Sequence, residues 1–342
     1  MSRFISDTAL DHLRKVALEP DLSGTPYRVI EAIGRGGMGT VYLARDEELD
    51  REVAIKVVTS PEPADDSARR LRLEAKILAK LEHPGIVPVH DAGTLPDGRA
   101  FYVMKRVRGR RLDEVVEEGA GRNDLLRTFG RICEAVASAH AAGVVHRDLK
   151  PENVMVGPFG EVLVMDWGVA KIVAGGGNRA AEPAGAPAPS AGADTEHGTV
   201  LGTRGYMAPE QARGDAASAG PRSDVYALGG ILYFLLARKP PPDRVVAGPF
   251  DSLAPRRLDR AIPRPLEAIV LKAMAEAPAA RYAGAGALAE DVASFLDRRR
   301  VAAWPEGPAT RALRLAARYQ VPILLVAAYL VMRVLVLVFG GR

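Results

Sequence analysis

Eight consecutive residues constrain this chain more than any others: His146-Arg147-Asp148-Leu149-Lys150-Pro151-Glu152-Asn153. They place an aspartate, a lysine and an asparagine on one short turn between apolar runs. That set suits the movement of a phosphoryl group. An aspartate can accept the proton of an attacking hydroxyl, a lysine can sit against the phosphate being moved, and an asparagine oxygen can hold a magnesium ion. A fold that uses this turn must bring further phosphate- and metal-binding groups to it from distant parts of the chain. With 342 residues there is room for a bilobal enzyme with extensions. Lys and Arg exceed Asp and Glu by only four, which does not point to a nucleic-acid partner. The single cysteine, Cys133, excludes an internal disulfide and a cysteine-built zinc site, and its apolar-periodic surroundings read as buried packing. Residues 1–20 lack the basic, apolar and small-residue order of a signal peptide.

Read in order, residues 7–19 carry Leu10, Leu13, Val16 and Ala17 at helical spacing. From Tyr27 the pattern turns to two strands joined by Gly34-Arg35-Gly36-Gly37-Met38-Gly39. That glycine spacing also occurs where a helix begins at a pyrophosphate, but the β-rich Val41, Tyr42 and Leu43 that follow indicate a hairpin. Its backbone amides can approach phosphates without side-chain obstruction. Lys56 stands alone among apolar residues in Val53-Ala54-Ile55-Lys56-Val57, and a buried ammonium needs an anionic partner. A helix over 65–81 offers Glu74, with Leu71, Leu78 and Leu81 facing inward; a solvated face charge is the alternative for Glu74. Two strands follow within 86–107, a helix spans 125–142 and ends at Gly143, and a strand over 161–165 leads to Asp166-Trp167-Gly168. Residues 174–198 are rich in Gly, Ala and Pro and carry no core. A nearly wholly apolar helix over 223–236 is too short to span a bilayer and reads as a buried central helix, with Asp224 able to cap amides at its start.

Taken in order, Gly34/Gly36/Gly39, Lys56, Glu74, Asp148/Asn153, Asp166, Glu210, Asp224 and Arg281 resemble a eukaryotic-type serine/threonine protein kinase of the bacterial kind over residues 27–298. The resemblance implies an α+β, bilobal fold: a β-rich N-lobe with one helix (27–107) and a larger helical C-lobe (108–298), after an N-terminal extension (1–26). It implies transfer of the ATP γ-phosphate to protein Ser/Thr hydroxyls. Asp148, Lys150 and Asn153 are then catalytic. Asn153 and Asp166 hold Mg2+, or Mn2+ in its place. Ile33, Gly34, Arg35, Gly36, Gly37, Met38, Gly39, Val41, Ala54, Lys56, Glu74, Met104 and Met155 bind nucleotide, though plain core packing also accounts for Val41, Ala54, Met104 and Met155. Residues 166–210 form a long activation loop with Thr195 and Thr199 as phosphosites and Thr203 near Asp148 and Lys150. Glu210, Asp224 and Arg281 are structural: Asp224 braces the catalytic turn and Arg281 pairs with Glu210. Partners are protein substrates and a second copy for autophosphorylation in trans. Trp167 stands where the family usually has phenylalanine.

Beyond a basic linker (299–320), residues 321–339 are apolar except for Arg333 and long enough to span a bilayer. Arg311, Arg314 and Arg318 before them put the kinase side in the cytoplasm. An interfacial or dimer-forming helix is the alternative, because a central arginine costs about 2.5–3.5 kcal/mol. A catalytically silent kinase-fold scaffold and a dinucleotide-binding oxidoreductase are the competing functional classes; the second explains only the glycine loop.

Overall fold

The computed structural model of the chain describes residues 19–36, 39–58, 65–167, 170–172, 204–214, 219–242, 262–305, 307, 311 and 319–339. In its first part β1 (Tyr27–Gly36), β2 (Gly39–Asp46), β3 (Arg51–Val57), β4 (Val89–Thr94) and β5 (Ala100–Lys105) form one antiparallel sheet in the order β1-β2-β3-β5-β4. Side chains alternate across a strand, and the sequence exploits this. Val53, Ile55, Val57, Phe101 and Val103 join Leu22, Tyr42 and Leu95 in an apolar layer on one face. Ala54, Tyr102 and Met104 belong to the larger core that runs through the rest of the molecule. Lys56 shares the parity of Ala54, and the β3/β5 register sets it opposite Tyr102. On that face lies α1 (Asp65–Leu78), one turn shorter than the spacing predicts; Leu71, Leu78 and Leu81 are buried as expected.

The second part is mainly helical. The short β6 (Arg110–Arg111) and α2 (Leu112–Glu117) lead to α3 (Arg122–Ala141), which buries Leu125, Phe129, Ile132, Val136 and Ala139 along one stripe. Cys133 lies within it, fully buried, and burial pushes its thiol pKa well up. Gly143 adopts a φ of 75° and donates to the His140 carbonyl, ending the helix in the conformation glycine favours. Then come β7 (Val144–Val145), a single 3₁₀ turn at Pro151–Asn153, β8 (Val154–Val156), β9 (Val162–Val164) and β10 (Lys171–Ile172). Further α-helices among the described residues are α4 (Pro209–Ala212), α5 (Pro221–Ala237), α6 (Arg264–Ala273), α7 (Ala285–Leu296) and α8 (Gln320–Phe339).

The central helix α5 is buried along nearly its whole length, as its composition predicts. A Cβ on Gly229 would come within 2.8 Å of the Ala273 Cβ, so that glycine lets α6 pack close. Of the two roles open to Asp224, bracing the catalytic turn holds and capping its own helix does not. Asp224 reaches out of the helix, and Ser223 Oγ accepts from the Gly220 amide at 3.2 Å instead. Beneath α5 the Glu210 carboxylate receives both Arg281 Nη atoms, at 2.7 and 2.8 Å, and Ser223 Oγ at 2.8 Å. Burial raises the Glu210 carboxyl pKa, but the Arg281 and Ser223 hydrogen bonds outweigh it and leave the group below its ordinary value. Arg281 also donates to the Ala275, Arg222 and Glu276 carbonyls, so this buried charge is satisfied on every side.

Past α7 the chain is pinned back. The buried Asp291 carboxylate accepts from Tyr282 Oη at 2.7 Å and from the amides of Ala302 and Ala303, and Val301 is buried. In α8 side chains are described from Leu324 to Val334, and Leu324, Leu325, Tyr329 and Leu330 among them are exposed. That stretch rises about 16 Å; among the described residues no helix is long and apolar enough to cross a membrane.

Candidate active site

Lys56 is the pivot of the cleft between the two parts. Its Nζ lies 2.9 Å from both Glu74 carboxylate oxygens, and Glu74 is buried. The ion pair is supported from the neighbouring strand, where Tyr102 Oη donates to Glu74 Oε1 at 3.0 Å. Burial, and secondarily the Glu74 charge, push the Tyr102 phenol well above its ordinary pKa, so it remains a donor. Asp166 Oδ1 stands 3.5 Å from the same ammonium. Of the two roles open to Glu74, the solvated face charge is excluded by this geometry.

The turn that opens the sequence is held from below by α5. Asp224 Oδ2 accepts from the His146 amide and Oδ1 from the Arg147 amide, both at 2.8 Å, and His140 Nε2 lies 2.8 Å from Oδ2. Gln211 Nε2 donates to the Arg147 carbonyl at 3.1 Å. Arg147 has a φ of 72°, a left-handed conformation that a β-carbon disfavours and that these contacts maintain. Burial lowers the pKa of its guanidinium, and Asp224 partly offsets that. The turn presents Asp148 with Lys150 Nζ 3.0 Å away and Asn153 Nδ2 3.2 Å away. Asn153 Nδ2 also donates to the Asp148 carbonyl at 2.7 Å, which orients the amide.

Asp166 follows β9 with a φ of 57°. The Met165 amide donates to the Asn153 carbonyl at 2.8 Å, so the two candidate metal-binding residues are joined through backbone. The cleft they share has a volume of about 570 Å3, within the range of small-molecule sites. Gly34, Arg35, Gly36, Gly39, Val41, Lys56, Glu74, Met104, Asp148, Asn153 and Asp166 line it, all anticipated from sequence. A Cβ on Gly39 would fall 2.3 Å from the Val57 carbonyl oxygen, so only glycine lets β2 lie this close to β3. Ile33 is exposed on β1, Ala54 is packed in the core opposite Met104, and Met155 is partly buried against the core. Gly37, Met38, Thr195, Thr199 and Thr203 lie outside the described residues.

The donor set fits magnesium. Among the described residues no group of three His, Cys, Asp or Glu side chains forms a metal nest. One carboxylate, Asp166, and one amide oxygen, Asn153, are instead what a hard cation needs when phosphates and water supply its remaining ligands. Sequence reasoning missed Tyr102, His140, Gln211 and the further cleft residues Leu78, Val87, Glu152 and Met165. The β3/β5 register could have revealed Tyr102, since same-face residues opposite Lys56 are few.

The protein kinase domain family matches residues 27–247. Serine/threonine-protein kinase PknB of Mycobacterium tuberculosis is 37% identical over 279 residues, covering 78% of this chain and 42% of that protein. Serine/threonine-protein kinase PknD of Protochlamydia amoebophila is 35% identical over 299 residues, covering 80% and 30%. The chain thus spans less than half the length of either relative. Its fold is similar to the crystal structure of the Mycobacterium tuberculosis PknI kinase domain, with a TM-score of 0.57 and 28% identity over 79% of this chain and 96% of that one. The bilobal architecture, the lysine–glutamate pair facing an aspartate across one cleft and the family match agree: the chain belongs to the protein kinase family, of the bacterial serine/threonine type.

Proposed function

We propose that this chain transfers the γ-phosphoryl group of ATP to serine or threonine hydroxyls of proteins, its own among them. The observation that carries the reading is the convergence of Lys56, Glu74, Asp148, Asn153 and Asp166 on one cleft. Lys56, held by Glu74, offers its ammonium to the nucleotide phosphates, and the backbone at Gly34, Gly36 and Gly39 covers them. Asn153 and Asp166 would hold Mg2+, or Mn2+ on the same oxygen donors, and the ion would supply positive charge against the nucleotide phosphates. Asp148 takes the acceptor hydroxyl proton as the new O–P bond forms and the bond to the ADP oxygen breaks. Lys150, 3.0 Å from Asp148, places positive charge beside the group in transit. Thr203 beside Asp148 and Lys150, and phosphate on Thr195 or Thr199 pairing with Arg147, belong to the same reading through the family resemblance.

We also infer that residues 321–339 anchor the protein in a membrane with the kinase on the arginine-rich, cytoplasmic side. Support comes from the apolar sequence of α8 and from the exposure of Leu324, Leu325, Tyr329 and Leu330. Arg333 lies about 9 Å of helix rise from Phe339 and reaches the far interface by snorkelling.

The activity is tested by incorporation of labelled phosphate from ATP into the full chain and a generic protein substrate. Asp148→Asn is expected to lower the rate by about 10²–10⁴-fold, the usual worth of a positioned general base. Equal incorporation by the parent and the variant, or none by the parent, sinks the kinase reading and favours a silent scaffold.

A further inference from the structure

Residues 19–26 lie ahead of the stretch that the kinase family matches, which begins at residue 27, yet they are built into the small lobe. At one end the Arg99 guanidinium, on a residue only 7% exposed, donates from Nη2 to the Glu19 carbonyl at 3.1 Å and from Nε to Asp97 Oδ2 at 2.6 Å. A cation taken out of water needs such acceptors, so the Glu19 backbone is held at the turn between β4 and β5. Pro20 and Leu22 follow, both buried, and Leu22 shares the outer apolar layer of the sheet with Ile55, Leu95, Phe101 and Val103. The Leu22 carbonyl accepts from the Thr25 amide at 3.0 Å and from Thr25 Oγ1 at 2.7 Å, a turn that Gly24 permits with a φ of 80°. The Pro26 carbonyl then accepts from the Glu47 amide at 2.9 Å, just past the end of β2. The segment is a brace along the outer face, fastened at both ends.

Only one strand separates this brace from the cleft. β5 puts Phe101 and Val103 into the layer that holds Leu22 and, by alternation, Tyr102 and Met104 on the side of the cleft they line. Tyr102 supports Glu74, the partner of Lys56. We propose that Leu22 and Arg99 are positioning residues for the nucleotide site: by seating residues 19–22 on the outer face they hold β5, and through it Tyr102 and Met104, in place for ATP. The proposal rests on the kinase reading of the cleft and adds that residues ahead of the family domain help to set its affinity for nucleotide.

Binding of a non-hydrolysable ATP analogue with Mg2+ to the full chain, followed by titration calorimetry beside steady-state kinetics, tests it. Leu22→Ala is expected to weaken analogue binding and raise the KM for ATP about 3–10-fold with kcat within about twofold, since a loosened β5 costs the cleft the equivalent of one hydrogen bond. Leu22→Met refills the space and is expected to restore both values. Leu288→Ala removes a fully buried side chain of the same size from α7, which does not line the cleft. It is expected to lower the thermal midpoint as Leu22→Ala does while leaving analogue binding unchanged. Unchanged binding in Leu22→Ala, or equal weakening in Leu288→Ala, overturns the proposal. If Leu22→Ala does not fold, Arg99→Lys decides: it keeps a charge beside Asp97 but loses the guanidinium fork that reaches Glu19, and is expected to weaken the analogue about 2–5-fold. Parent-like affinity in that variant overturns the proposal as well. Absence of analogue binding in the parent sinks the kinase reading itself, whereas failure of the brace shows only in the comparison of parent with variants.

Discussion

At the scale of single residues, the cleft depends on which groups share the Glu74 carboxylate. Two donors reach it, the Lys56 ammonium and the Tyr102 hydroxyl, and both come from adjacent strands of one face. Tyr102→Phe removes the second while sparing the first. A hydrogen bond to a buried charge is worth about 1.5–3 kcal/mol, so the urea midpoint is expected to fall accordingly. The KM for ATP is expected to rise several-fold as the Lys56 partner loses a support. An unchanged KM and midpoint would show that Lys56 alone fixes Glu74. Lys56, Asp148 and Asn153 were legible in the sequence because phosphoryl transfer admits few residue types and each stands in a distinctive local pattern, whereas Glu74 and Asp166 were named only through the family resemblance. The supports were not. His140 meets Asp224 across 84 residues and Gln211 meets Arg147 across 64, contacts that only the packed arrangement of elements creates.

At the scale of elements, α5 organises the large lobe. Its apolar run announced a buried helix, and the family resemblance announced that Asp224 braces the catalytic turn, but neither showed how closely α6 would approach. Gly229 faces Ala273 and Met274 without room for a side chain. Gly229→Val is therefore expected to destabilise by about 1–3 kcal/mol through overpacking, read as a lower thermal midpoint. The Glu210–Arg281 pair beneath the same helix carries a pH signature. Because the folded carboxyl titrates below its ordinary value of 4.5, the stability it contributes is complete above that pH. It is lost as the pH falls through the depressed folded value. The stability advantage of the parent over Glu210→Gln should thus be widest at neutral pH and shrink below about 4.5; an advantage independent of pH contradicts the assignment. Arg281→Ala strands a buried carboxylate and is expected to cost about 3–5 kcal/mol, measured by denaturant titration at pH 7.

At the scale of the whole molecule, the question is what covers α8. Its described apolar side chains are exposed on the protein itself and join neither hydrophobic core of the catalytic part. The full chain is expected to stay with membranes through an alkaline carbonate wash, and Leu325→Asp with Leu330→Asp to release it. Each aspartate costs about 2.5–3.5 kcal/mol near a bilayer centre. Release of the parent by the same wash speaks for the interfacial or dimer-forming alternative.

The Asp291 clamp bears on what such an anchored enzyme could touch. By fastening Ala302 and Ala303 to the globular body, it limits the chain between that body and α8 to the residues between Pro305 and Gln320. Fourteen residues, 306–319, cannot extend beyond about 50 Å even when fully stretched. Eligible acceptors would then be confined to a shallow shell next to the lipid surface, so geography as much as chemistry would choose the targets.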